Sequence, residues 1–116
     1  MDNPFNEDSN EEIEVKKTIT SFYEAFYQSD RIKMFSYLST SFQKSVPLNY
    51  FLIHSDFDID VGILIDIRRV RIDEEKKRAF VECYVDFQRG KKEVVIVLIL
   101  EEVWKIDAKS IFRRKF

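Results

Sequence analysis

The chain has 116 residues, 45% of them apolar and 15% aromatic. That balance is one folded domain with a real core and excludes a disordered protein. A net charge of −2 argues against a primary role on nucleic acid or an acidic membrane.

Eleven Phe against two Gly and two Pro predict long elements and few loops. Residues 1–10 read as a flexible acidic tail and residues 11–116 as a single domain. Acidic side chains gather at the amino end (Asp2, Glu7, Asp8, Glu11, Glu12, Glu14), and Arg113, Arg114 and Lys115 make the carboxyl end basic. Ser9-Asn10-Glu11-Glu12 fits a capping box. It predicts a helix to about Gln28 with Val15, Ile19, Phe22 and Phe26 on one face. Tyr23 and Tyr27 flank that stripe. Asp30 can cap a second helix, about Arg31 to Leu38, burying Met34, Phe35 and Leu38. Ser39-Thr40-Ser41 reads as a breaker. Ser45 before Pro47 opens a third helix to about His54, burying Leu48, Phe51 and Leu52.

An acidic loop, Asp56-Phe57-Asp58-Ile59-Asp60, comes next, and after Gly62 the pattern turns to strands. Ile63, Ile65 and Ile67 share one parity and Val70 and Ile72 the other, so a β-bulge is expected at Arg68-Arg69. Asp73 to Lys77 is a charged turn. Ala79, Val81, Cys83, Val85 and Phe87 alternate with Phe80, Glu82, Tyr84, Asp86 and Gln88. Arg89-Gly90 is the expected hairpin turn, pairing Val85 with Val94 and Tyr84 with Val95. Val94 to Leu100 is an unbroken, mostly β-branched run, a strand of about 23 Å. Because it does not alternate, both its faces should be covered. Trp104-Lys105-Ile106 should form a last strand that Ile111-Phe112 continues, with the face of Trp104 left open.

The order is three short amphipathic helices, then a bent, mostly antiparallel meander. With Phe22-x-x-x-Phe26, Asp30 and Leu100-Glu101-Glu102-Val103-Trp104-Lys105-Ile106, it resembles the nuclear transport factor 2-like superfamily over about Ile13 to Ile111. Many relatives carry Gly where Val103 stands. The resemblance implies a cone-shaped, cystatin-like α+β fold, with three helices on the concave face of a bent sheet. It also implies an enclosed pocket and a sheet face that often forms a dimer. It leaves activity open, because the superfamily holds enzymes and plain binding modules.

The candidate site residues follow from these placements. Tyr23, Tyr27 and His54 are candidate ligand contacts. Tyr27 with His54 or Asp56 is the candidate catalytic set for isomerase- or dehydratase-like chemistry. The plainer reading puts His54 at a helix end and both Tyr hydroxyls in water. Asp56-x-Asp58-x-Asp60 has a calcium-loop look, but Gly62 falls one place late and Ile67 stands where Glu is needed. One Cys and one His cannot fill a zinc site. No metal or cofactor is expected. Arg68, Arg69, Arg71, Lys76, Lys77 and Arg78 form a basic hairpin cluster, read as edge protection. Phe80, Tyr84, Val95, Val97 and Ile99 fall on one sheet face, a patch expected to join two copies, unless Ile111 to Phe116 or the tail with Phe5 folds over it. The lone cysteine suits a reducing compartment. No spanning helix or signal-peptide core is seen, so a cytoplasmic protein is expected. The leading expectation is a noncatalytic homodimer that binds a small apolar ligand or a protein. An enzyme and a toxin-immunity-type protein are the alternatives.

Overall fold

A computed structural model describes residues 9–54, 57 and 61–112 of the chain. Among the described residues the fold is α+β: four α-helices, then an open antiparallel sheet of four strands in the order β1-β2-β3-β4.

Helix α1 (Asn10–Tyr27) starts at the capping box. Ser9 Oγ accepts from the Glu12 amide, and Glu12 Oε1 accepts from the Ser9 amide, each at 3.2 Å. Its apolar stripe buries Val15, Ile19, Phe22, Tyr23 and Ala25. Ser29 turns into the left-handed region at φ 58°, and the Asp30 amide reaches back to Ala25 O at 2.8 Å. This is the six-to-one closure that ends many helices. Asp30 Oδ1 then caps α2 (Arg31–Ser36) by accepting from the Lys33 amide.

Two expectations for the helices are corrected. Helix α2 stops at Ser36 rather than Leu38, because Tyr37 to Ser39 leave it to pair with the last strand. The supposed breaker Ser39-Thr40-Ser41 instead opens a helix, α3 (Thr40–Ser45). Ser39 Oγ accepts from the Phe42 amide, and the Glu101 carboxylate accepts from both the Thr40 amide and its hydroxyl. Among the described residues there are thus four α-helices where three were expected. Pro47 leads into α4 (Leu48–Ile53), which buries Phe51 but leaves Leu48 exposed.

Strand β1 (Ile63–Asp73) pairs with β2 (Arg78–Phe87) through two register slips, at Ile65 and at Arg68. The second is the expected bulge. The first separates Ile63 and Ile65, both exposed, from Ile67, which faces the core. The next hairpin turns on Gln88-Arg89, with Phe87 opposite Gly90. The register is therefore Cys83 to Val94 and Glu82 to Val95, two residues from the expected one. An even slip keeps each side chain on its face, so the parity assignments for β2 and β3 (Gly90–Leu100) survive.

Strand β4 (Trp104–Ile106) pairs with the end of β3 and also with Leu38. Its register faces Trp104 to Leu100 and Ile106 to Leu98, and both side chains are buried. Ile111-Phe112 does not extend the strand. A 3₁₀ turn, Ala108–Ser110, carries the chain back, and Phe112 enters the core at 1% exposure.

One sheet face is buried under the helices: Ala79, Val81, Cys83, Val85, Ile96, Leu98, Trp104 and Ile106 join the helix stripes in one core. The expectation that β3 is covered on both faces holds on this side only. On the outer face Val97 and Ile99 are half-buried and Val95 is 50% exposed.

Two substitutions test this account. Gly62 has φ +85°, and a Cβ there would overlap Val85 Cγ1. Gly62→Ala should cost about 2–4 kcal/mol from strain and overpacking. A denaturation midpoint that barely moves contradicts the placement. Glu101→Ala should cost about 1 kcal/mol, the usual worth of a lost helix cap, read by the same measurement.

Candidate functional site

Part of the interior is filled with packed rings. Phe42, Phe51, Phe57 and Phe112 contact one another with centroids 5.2–6.4 Å apart. Phe35 adds a fifth ring, 5.1 Å from Phe51. Most of these pairs meet edge to face, the arrangement that opposes ring edges to ring faces. Each fully buried Phe contributes roughly 1.5–3 kcal/mol.

Arg31, which sequence reasoning did not single out, ties this cluster together. Its guanidinium donates to Phe51 O at 3.1 Å and to Phe57 O at 3.0 Å. It also lies 5.3 Å from the Phe51 ring centroid. The only local sign was its place just after the α2 cap. The two carbonyls it holds lie 20 and 26 residues away, which no local pattern encodes.

The described candidate residues, Tyr23, Tyr27 and His54, have separate partners. Tyr23 is buried and its hydroxyl donates to Val61 O at 3.1 Å. Tyr27 is 48% exposed and its hydroxyl accepts from the Leu64 amide at 2.7 Å. Their rings are 6.2 Å apart. Both hydroxyls fasten the end of α1 to the chain entering β1. Tyr27 is thereby turned to the sheet's rim. His54 stands at the carboxyl end of α4, half-buried, and stacks on Tyr50 at 4.2 Å and 21°. The structure thus brings Tyr23 and Tyr27 together and stacks His54 on Tyr50. Asp56, and with it Asp58 and Asp60, lies outside the described residues.

The patch residues Phe80, Tyr84, Val95, Val97 and Ile99 do share the outer sheet face. The register sets Phe80 beside Val97, Glu82 beside Val95 and Tyr84 beside Glu93. Neither aromatic ring is bare. Arg71 lies over Phe80 and Arg68 over Tyr84, each guanidinium carbon 4.6 Å from the ring centroid. Arg68 also pairs with Asp66 at 3.3 Å and Glu93 at 3.6 Å, and Arg78 approaches Asp107 at 3.9 Å. Asp86 is on this face too, opposite Lys91. The face is therefore of mixed sign, with apolar β-branched side chains along β3.

Three open clefts of about 360 to 440 Å³ are lined by described residues at the rim. One is walled by α3 and the 3₁₀ turn, one by the β2–β3 hairpin, and one by α1 and the turn before β4. Among the described residues no three His, Cys, Asp or Glu side chains gather at one place. No described helix is long and apolar enough to cross a membrane. In comparisons with known proteins, no family model matches the chain and no curated protein matches it.

Cys83 lies on the inner face at 0% exposure. Burial, with a smaller push from Asp66, raises its thiol pKa from the ordinary 9.0 to about 12. The folded chain keeps a proton that the unfolded chain sheds. This group's share of stability is complete below pH 9 and is lost as pH climbs from about 9 towards about 12, at up to about 1.4 kcal/mol per pH unit. The stability of the native chain relative to Cys83→Ala should narrow across pH 8 to 10.5 in denaturant titrations. At neutral pH a thiol reagent should label Cys83 only after unfolding. Rapid labelling of the folded chain would contradict the burial.

Proposed function

We propose that the chain is a noncatalytic binding module of the nuclear transport factor 2-like type, working as a homodimer joined through its outer sheet face. What supports the noncatalytic part is the ring cluster: Phe42, Phe51, Phe57 and Phe112 pack against one another in the interior, where a substrate pocket would need room. A small apolar ligand inside the core is disfavoured for the same reason, so a protein partner is the better reading. Isomerase- or dehydratase-like chemistry would need Tyr27 to meet His54 or Asp56 beside a cavity. Tyr27's bond to Leu64 and His54's stack on Tyr50 favour neither.

The pairing rests on the composition of the outer face. Val95, half exposed, lies between the half-buried Val97 and the charged Glu93. Opposite charges on the same face, Arg68, Arg69 and Arg71 against Asp66, Glu82 and Glu93, allow a two-fold axis to set unlike signs against each other. A face-to-face contact would cover the apolar strip that water now reaches.

Light scattering on the full chain should report a mass near twice 14.0 kDa. Val95→Lys should halve it, and the resulting monomer should still unfold in one cooperative transition, at a lower midpoint because the stabilisation by association is lost. A native chain that stays monomeric at high concentration ends the proposal.

A further inference from the structure

The cleft between α1 and the turn before β4, about 360 Å³, has a donor-rich floor. Trp104 lines it while keeping only 6% of its surface exposed. A buried tryptophan normally gives its indole N–H to an acceptor. Here that N–H makes no hydrogen bond among the described residues and keeps contact with solvent, so it is open to a ligand in the cleft.

The main chain of Trp104 adds a second donor. Lys105 pairs with Ile99 on β3, and the Glu101 amide bonds Val103 O across the turn. Ile106, two residues on, turns its amide to Tyr37 O. By strand alternation the Trp104 peptide group also points away from β3, to the side of α2. No described carbonyl takes its N–H.

Two ammonium groups line the same cleft. Lys17, exposed, stands on the α1 wall, and Lys105 donates to Ser36 O at 2.7 Å with protons to spare. Glu14 is the one carboxylate in the lining. Val103, 59% exposed, provides an apolar lip.

We propose that this cleft is a binding site for a carboxylate carried on a compact apolar body. The carboxylate takes the indole N–H, the Trp104 amide and the Lys17 ammonium, which are the donors that a charged acceptor satisfies best. The apolar body rests on Val103 and the Trp104 ring. The site lies on the helix side of the sheet, apart from the outer face. It goes beyond the pairing proposed above, and its outcome is independent of the chain's mass in solution.

Trp104 is the only tryptophan, so the full chain labelled with ¹⁵N gives a single indole cross-peak that reports on this site alone. Titration with cyclohexanecarboxylate should move that peak saturably, whereas cyclohexanecarboxamide should leave it in place. An acetylated tripeptide ending in Leu, free or amidated at its carboxyl end, distinguishes a peptide terminus from a free acid as the source. Lys17→Glu, at an exposed helix position, should weaken the carboxylate at least about tenfold with an unchanged thermal midpoint. Lys17→Arg should restore it. Failure of every carboxylate to shift the peak overturns the proposal. So does an equal response to the amide, or undiminished binding by Lys17→Glu.

Discussion

Ile106 is the residue on which the arrangement turns. Its amide donates to Tyr37 O at 2.8 Å and its carbonyl accepts from the Ser39 amide at 2.9 Å. These two bonds join a strand from the end of the chain to the short link between α2 and α3. They stop α2 by drawing Tyr37 out of the helical path, and they hold Ser39 where its hydroxyl can cap α3. The same strand bonds to β3 on its other side. A three-residue strand has little stability of its own. It persists because both its edges are used and because Trp104 and Ile106 are buried beneath α1 and α2.

The end of the chain is fastened in the same region. Asp107 gives its amide to Val97 O at 2.8 Å, and Ser110 Oγ accepts from the Val97 amide at 3.0 Å. These two bonds continue along β3 the work that β4 does further on. They also aim Phe112 at the rings of α3 and α4. The aromatic cluster therefore joins the helical segment around Phe35 to Phe57 with Phe112, beyond the sheet. It closes only when the sheet and the helices are both in place, so the core forms as one cooperative unit.

The two sheet faces then have different characters. The inner face is buried and lined by small and branched aliphatics with Trp104. The outer face keeps its aromatic rings under arginine stems, with carboxylates interspersed, and leaves Val95 to water. Long cationic side chains can shield apolar surface while their heads stay hydrated. This explains how a strand as apolar as Val94 to Leu100 is tolerated at a surface.

Several features were legible in the residues because they depend on neighbours a few positions away. The capping box at Ser9 and Glu12, the helical stripe from Val15 to Phe22, the cap at Asp30 and the alternation of β2 all belong to this class. So does the shared face of Phe80, Tyr84, Val95, Val97 and Ile99, which survived a register error because that error was even. Other features were settled only by groups distant in the chain. Helix α3 was read as a breaker because its stabilising carboxylate, Glu101, is 61 residues away. The slip at Ile65, the face of Trp104, the bonds of Arg31 and the inward turn of Phe112 have the same origin. Periodicity and capping say which groups seek burial or a partner. Which partner each one finds is decided by the packing of the whole chain.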